Sequence, residues 1–360
     1  MLDTKLKEVC KGFRIDAQYI GCETISIGNI NKTYQVKCRL PDGTGKSFLV
    51  QNVNTYVFKN PVLVMENIDK VTEHIRRKNP GKINLHFYHT ADRKTYIIDG
   101  DNFWRMNNYI PSTTYSVVKD LSVIKNAGRA FGEFQIQLSD FDCNQLHETI
   151  PDFHNTRKRY EKLEQTIAAD PCGKVAEVEE EIAYLRSVRD LACTLTDMQA
   201  RGELPLRVTH NDTKINNVLF DPDGKDALVV VDLDTVMPGL VGSDFGDALR
   251  FAGNYVEEDC PEYERAGLNM EIFSAFAEGF LEKTASVLTK NEIDTLPVSC
   301  FALTVELAVR FLDDYIQGSP YFKVNYPEHN LVRTRCQIAL AKDIQAKLND
   351  MSACIEKIVK

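Results

Sequence analysis

The sequence predicts an α+β protein of two lobes: a small N-terminal lobe built on an antiparallel sheet, and a larger, mostly helical C-terminal lobe. Three observations carry this expectation. The chain has 360 residues, more than one ordinary hydrophobic core organises. Apolar residues alternate with period two over roughly the first hundred positions and then recur every three to four. Between the two regimes stands Pro111, a natural hinge. At 43% hydrophobic and 26% charged residues, the composition is that of a globular enzyme and excludes disorder for most of the chain.

In chain order, the first ten residues read as an amphipathic helix without the apolar core of a signal peptide. Alternation over 23–27, 33–38 and 47–53, with turns at Gly28-Asn29 and Pro41-Asp42-Gly43, predicts an antiparallel meander. A helix follows over 62–78, because Val64, Ile68, Val71 and Ile75 form one apolar stripe. Strands near 84–89 and 95–99 precede the segment 103–110, which places the lobe boundary between 1–110 and 111–360. Helical patterns then run over 117–139, 151–168, 174–200, 267–286, 291–317 and 330–357, interrupted by a strand-and-turn block at 206–235. The run Glu177-Val178-Glu179-Glu180-Glu181 reads as a solvated helix face.

Several function classes fall away. The 43 Lys+Arg against 52 Asp+Glu leave a net charge of −9, which disfavours nonspecific nucleic-acid binding. No apolar stretch is long enough to span a bilayer, and the expected compartment is the cytoplasm. Ten cysteines are scattered without a C-x-x-C pair, so zinc and dithiol chemistry lack their spacing and the thiols read as reduced and mostly buried. Gly43-Thr44-Gly45-Lys46-Ser47 resembles the end of a phosphate-binding loop, but Leu40 stands where the first glycine belongs and strand residues follow instead of a helix. A hairpin turn accounts for it.

The informative block is Val208-Thr209-His210-Asn211-Asp212-Thr213-Lys214-Ile215-Asn216-Asn217, followed by a hairpin that ends at Val231-Asp232-Leu233-Asp234. Phosphoryl transfer needs a carboxylate to orient the attacking hydroxyl, a cation for the γ-phosphate and oxygen ligands that hold Mg²⁺ against ATP. Asp212, Lys214 and Asn217 supply one of each, and Asp232 supplies a second metal ligand. Asp234 is either a further metal ligand or the cap of the following turn. Asp244 and Asp247, with Arg250, either stabilise a helix start near 243–253 or brace the loop by hydrogen bonds. Arg333 and Arg335 either pair with acids or approach the phosphates.

His-x-Asp-x-Lys-x-x-Asn with a strand-ending Asp downstream marks a kinase-like fold. With the two-lobed order, it resembles the aminoglycoside phosphotransferase and choline kinase superfamily. The match goes further: Arg207 to Lys214, Asp232-Leu233-Asp234-Thr235, Asp244-Phe245-Gly246-Asp247 and the segment from Tyr326 to Arg335 resemble the N-acetylhexosamine 1-kinases, over nearly the whole chain. The resemblance implies Asp212 as catalytic base and Asn217 and Asp232 as magnesium ligands. It implies adenine held by backbone bonds of a hinge at Arg105, Met106, Asn107 and Tyr109. It also implies sugar contacts from Arg310 and Tyr321 and from Asn29 and Asn31 in the glycine-loop position. Kinases usually carry a lysine on the third strand, whereas this chain offers Gln51, as N-acetylhexosamine kinases do; phosphate neutralisation then falls to Mg²⁺ and Lys214.

The activity these residues imply is ATP- and Mg²⁺-dependent phosphorylation of the anomeric hydroxyl of GlcNAc and GalNAc. The partners are a small-molecule sugar and ATP, with no nucleic acid or membrane, and the sequence sets no oligomeric state. Two other readings stand beside it: a kinase of choline, homoserine or an aminoglycoside, and a noncatalytic sugar or nucleotide sensor suggested by Gln51.

Overall fold

The computed structural model describes residues 2–25, 31–56 and 58–360. These form two compact units: Met1–Thr113 with Asn144–Thr149 and Val231–Met237, and Thr114–Cys143 with Ile150–Val230 and Pro238–Lys360. Two later segments thus belong with the first unit, an arrangement that a single division at residue 110 does not contain.

The first unit holds α1 (Leu2–Gly12), β1 (Gln18–Ile25), β2 (Lys32–Arg39), β3 (Gly45–Val53), α2 (Pro61–Lys78), β4 (Tyr96–Asp99) and β5 (Asn102–Asn108). The strands make an antiparallel sheet in the order β1-β2-β3-β5-β4. Its core follows from the period-two pattern: Tyr34, Val36 and Cys38 of β2 and Phe48 and Val50 of β3 pack with Trp104 and Met106 of β5 and with Leu6, Val9 and Phe13 near the N-terminus. Gly43, at φ 86°, turns the β2–β3 hairpin, and Leu40 N–H donates to the Thr44 carbonyl at 2.8 Å. The phosphate-loop look-alike is therefore a hairpin turn and the start of β3. On α2, Pro61 fills the first turn, Val64, Ile68 and Val71 are buried, and Arg76, Arg77 and Lys78 favour its C-terminus.

Residues 84–89, expected as a strand, make only one bridge, Phe87 to Asn107. The edge of β5 is shared: β4 occupies it from Asn102 to Arg105. The remainder receives the Tyr88 N–H on the Met106 carbonyl (2.9 Å) and gives the Asn108 N–H to the His86 carbonyl (3.1 Å).

The second unit contains α3 (Leu121–Gln137), α4 (Thr156–Ala169), α5 (Glu179–Ser187), α6 (Arg189–Ala192), α7 (Thr194–Ala200), β6 (Arg207–Thr209), β7 (Val218–Phe220), β8 (Ala227–Val230), most of β9 (Met237–Gly239), α8 (Val241–Ala252), α9 (Met270–Thr284), α10 (Lys290–Asp294), α11 (Leu296–Ile316) and α12 (His329–Val359). The helix expected over 174–200 is thus three short ones. Of the acidic run, Glu181 is buried and meets Arg335 at 2.6 Å, which corrects the solvated-face reading there and gives Arg335 an acid partner.

Backbone-to-backbone packing positions the site. A Cβ on Gly246 of α8 would lie 2.4 Å from the Ser299 carbonyl oxygen of α11, so only glycine lets these helices approach this closely. All ten cysteines are free and six are buried. Among the described residues, no helix is long and apolar enough to cross a membrane.

Candidate active site

β6 delivers the chain into the loop His210–Lys214, which continues through a 3₁₀ turn (Ile215–Asn217) into the β7–β8 hairpin. Asn211 stands at φ 64°, a left-handed conformation that a non-glycine residue keeps only when its surroundings enforce it. They do so with acids. The backbone N–H groups of His210 and Asn211 donate to the two carboxylate oxygens of Asp244 at 2.9 and 2.7 Å, and Thr213 N–H donates to Asp247 at 3.2 Å. Thr213 also donates its hydroxyl to the Asp244 carbonyl at 2.6 Å, and Gln135 reaches the Asp244 carboxylate at 3.1 Å. Asp247 pairs with Arg250 at 2.9 Å, and Arg250 with Glu258 at 2.5 Å. Of the two roles open for Asp244 and Asp247, the geometry shows the bracing one. Burial pushes the Asp244 carboxyl upward; for Asp247 burial is outweighed by Arg250, Lys214 and His154, which hold it below the usual carboxylate range.

Asp212 is thereby presented with both oxygens engaged, Oδ1 by Lys214 Nζ at 2.9 Å and Oδ2 by Asn217 Nδ2 at 3.2 Å. Burial works against the Lys214 charge, but the carboxylates of Asp212 and Asp247 more than offset it and raise the amine above its ordinary value. Asn217 Nδ2 also donates to the Asp212 carbonyl at 2.8 Å, and among the described residues its Oδ1 makes no hydrogen bond. That oxygen suits a hard divalent cation. No three His, Cys, Asp or Glu side chains converge as a self-sufficient metal site among the described residues; a magnesium ion bound mainly through nucleotide phosphates needs only one or two protein oxygens.

In the first unit, Gln51 and Arg105 face each other across β3 and β5. Gln51 accepts from Arg105 Nε at 2.9 Å and donates to the Thr33 hydroxyl at 3.0 Å. Arg105 forks onto Asp234, with Nη2 3.1 Å from Oδ2 and Nη1 on Oδ1; the two side chains are 3% and 4% exposed. Asn31 adds a bond to Asp234 Oδ2 at 2.9 Å, and its own Oδ1 accepts the Asn54 N–H at 2.9 Å. The place of the usual lysine is thus filled by a glutamine that orients an arginine on the neighbouring strand, and both Asp234 oxygens are occupied. Asp232 opens the 3₁₀ turn Leu233–Thr235 in a left-handed conformation, φ 61°. Arg105, Met106 and Asn107 lie inside β5, where the Met106 carbonyl is already bonded to Tyr88, and Tyr109 follows just beyond the strand. Asn29 lies outside the described residues.

Arg310 and Tyr321 line one pocket of about 190 Å³, with Phe153, Arg159, Asp313 and Asp314. The Arg310 guanidinium lies 5.5 Å from the ring centroids of both Phe153 and Phe322. The acids are satisfied internally: Asp313 accepts from Thr166, Lys162 and Gln317, and Asp314 from the Tyr321 and Phe322 N–H groups and Asn330. The cations are less so. Arg159 gives one N–H to the Phe153 carbonyl at 2.9 Å, while its buried Nε has no partner among the described residues; burial and the nearby Arg310 charge lower its pKa. The pocket adjoins the catalytic loop, because Phe153 precedes His154, whose Nε2 lies 3.3 Å from the Asn211 carbonyl oxygen.

Sequence reasoning missed His154, Glu306 and Arg159. None belongs to a short motif; they meet the loop and the pocket only through the packing of α4 and α11.

Residues 21–278, more than half of the chain, match the Phosphotransferase enzyme family. An aminoglycoside phosphotransferase from Alicyclobacillus acidocaldarius has a similar structure, with a TM-score of 0.64 at 13% identity over 98% of this chain and 96% of that one. So has choline kinase from Cryptosporidium parvum, at 0.58 and 15% over 99% and 98%. An amicoumacin kinase solved in complex with AMP-PNP and Ca²⁺ matches at 0.56 and 14%, covering 98% and 92%. By the family match, this chain, with a kinase-like fold bearing a braced His-Asn-Asp-Thr-Lys loop, belongs to the Phosphotransferase enzyme family.

Proposed function

We propose that the protein is an ATP- and Mg²⁺-dependent kinase that transfers the γ-phosphoryl group to the anomeric hydroxyl of N-acetylhexosamines, GlcNAc and GalNAc, giving the sugar 1-phosphate. The observation that carries the acceptor class is the hydrogen-bonding balance of the pocket beside the loop. Its acids accept from the protein's own groups, and among the described residues that line it the buried donor left without a partner is Arg159 Nε, with the Arg310 guanidinium lining the same pocket. Hydroxyl and acetamide oxygens answer donors, whereas two guanidinium groups repel the ammonium of choline or the many amines of an aminoglycoside.

In this reading Asp212 accepts the proton of the attacking hydroxyl and is held in place by Asn217 and Lys214. Lys214 neutralises charge on the transferred phosphoryl group. Asn217 Oδ1 and Asp232 supply oxygens to Mg²⁺, which when bound offsets the negative charge of the nucleotide phosphates. Asp234 serves differently: joined to Arg105 and Asn31, it fixes the turn that begins at Asp232. The adenine contacts fall to Tyr109 and its neighbours past β5. Arg310 and Tyr321 hold the sugar edges away from C1, which leaves the anomeric hydroxyl facing Asp212.

The second reading, a kinase of choline, homoserine or an aminoglycoside, is favoured by the choline kinase and aminoglycoside phosphotransferase among similar structures. One experiment separates them: ADP release with Mg²⁺-ATP over a panel of hexosamines, hexoses, choline, homoserine and aminoglycosides, followed by proton and phosphorus NMR of the product. A phosphorus-coupled anomeric proton on GlcNAc supports the proposal. Phosphate on C6, or turnover of the cationic acceptors alone, sinks it.

A further inference from the structure

His154 lies just ahead of α4, and both of its ring nitrogens face oxygens. Nδ1 is 3.0 Å from Glu306 Oε1 and Nε2 is 3.3 Å from the carbonyl oxygen of Asn211. A carbonyl has no proton to give. Nor does the Glu306 carboxylate, whose other oxygen already accepts the Thr156 hydroxyl at 2.8 Å. Both contacts are hydrogen bonds only when both nitrogens donate, and an imidazole that donates from both is a cation.

We infer that His154 is a positioning residue for phosphoryl transfer: as an imidazolium, it ties the carbonyl of Asn211, the residue before the catalytic base, to Glu306 on α11, one helical turn before Arg310. Loop and acceptor pocket are then held in register through one proton. The left-handed Asn211 supports this, since its N–H is fixed by Asp244 on one side and its carbonyl by His154 on the other. The same peptide is held on its other side by the Asp212 N–H, which donates to His210 Nδ1 at 3.3 Å, so losing the His154 bond loosens the seat of the Asp212 carboxylate.

The charges around the ring favour the cation. Burial opposes it, but Glu306, through charge and hydrogen bond, and Asp247 outweigh both burial and the repulsion from Arg310, so the pKa is raised. Asp244 also lies within reach of the His154 charge. Glu306, although buried, is held below the usual carboxylate range by His154 first, then by Arg310 and Arg159. The inference rests on Asp212 being the base and not on the identity of the acceptor.

The test has two arms. In long-range proton–nitrogen NMR of histidine-labelled protein, the His154 ring is identified by its contacts to the Phe153 ring, 4.5 Å away. It should show both nitrogens protonated and titrate above the ordinary histidine value of 6.5; a neutral ring, or titration at or below that value, overturns the inference. In the second arm, Glu306→Gln keeps an accepting oxygen but removes the charge. The ring should then titrate at lower pH than in the wild type, with the alkaline fall in kcat moving down with it while KM for ATP stays within about twofold. A kcat profile that superimposes on the wild type overturns it. Should Glu306→Gln not fold, the first arm decides alone. A neutral ring in an enzyme that Asp212→Asn inactivates refutes this inference, whereas an active Asp212→Asn enzyme refutes the assignment of the base.

Discussion

Each unit holds a buried constellation of charge among its candidate site residues, and the two are built on opposite plans. In the second unit the acids serve the main chain: Asp244 and Asp247 accept three backbone N–H groups of the catalytic loop, and their counter-charges arrive separately, from Arg250, Lys214 and His154. In the first unit the acid serves a side chain: Asp234 is forked by Arg105, which Gln51 orients from the adjacent strand. Backbone-directed acids shape a loop that no helix or strand would shape. The side-chain pair joins a sheet to a turn, and because both partners are almost fully buried it holds only while both are present.

That contrast gives the largest expected effect. Arg105→Met leaves Asp234 buried with one amide donor, and removing one partner of such a pair costs about 3–5 kcal/mol. Trp104, the sole tryptophan, lies in the first unit's core, so its fluorescence during urea unfolding reads this unit directly. The double variant Arg105→Met/Asp234→Leu should recover much of the loss, since it removes the stranded charge as well. A loss below about 1 kcal/mol in the single variant would show that the pair is not the tie it is taken for.

In the second unit the decisive change is chemical. Asp212→Asn keeps the shape of the loop but removes the carboxylate proposed as proton acceptor, so kcat should fall by at least about 100-fold with KM for ATP within about twofold. Retention of more than about a tenth of kcat would move the base elsewhere.

Arg310 tests the pocket and not the loop. Arg310→Ala removes donors that the acceptor's oxygens should meet, at about 1–3 kcal/mol, or roughly 5- to 150-fold in the acceptor's KM. KM for ATP should change less. Equal effects on both substrates would place Arg310 outside the acceptor pocket.

The same contrast explains what was readable in the sequence. The backbone-directed network lies in two short motifs, His210 to Asn217 and Asp244 to Asp247, so residue type and spacing single out its members, while the choice between helix start and brace for Asp244 and Asp247 waits for the hydrogen bonds. The side-chain network joins residues 31, 51, 105 and 234, up to 203 positions apart, so Gln51 reads only as a missing lysine and Arg105 only as part of a hinge. Nothing local says that a strand pairing sets them side by side. The element types came through because periodicity is local, whereas the strand expected at 84–89 did not form: β4 had taken most of the edge it needed. His154 and Glu306 lie 152 positions apart and were invisible for the same reason as Arg105.

The smallest effect isolates burial from geometry. Arg186 also grips Glu164 at two points, Nε to Oε1 at 2.9 Å and Nη2 to Oε2 at 2.6 Å where Arg105 uses Nη1 and Nη2, but these side chains are 52% and 34% exposed. Water screens such a pair and ordering two long side chains opposes it, so Arg186→Met should cost less than about 1 kcal/mol. The hydrogen bonds from Arg186 hold the Glu164 carboxyl below its ordinary value of 4.5. A carboxyl whose pKa is depressed on folding contributes stability that is present above the unfolded value and lost as pH falls through the folded one. The small cost of Arg186→Met should therefore be measurable near neutral pH and vanish in acid below the depressed value. Urea unfolding of both arginine variants at neutral pH sets the two forks side by side: comparable losses would mean that fork geometry, not burial, decides what an ion pair contributes in this protein.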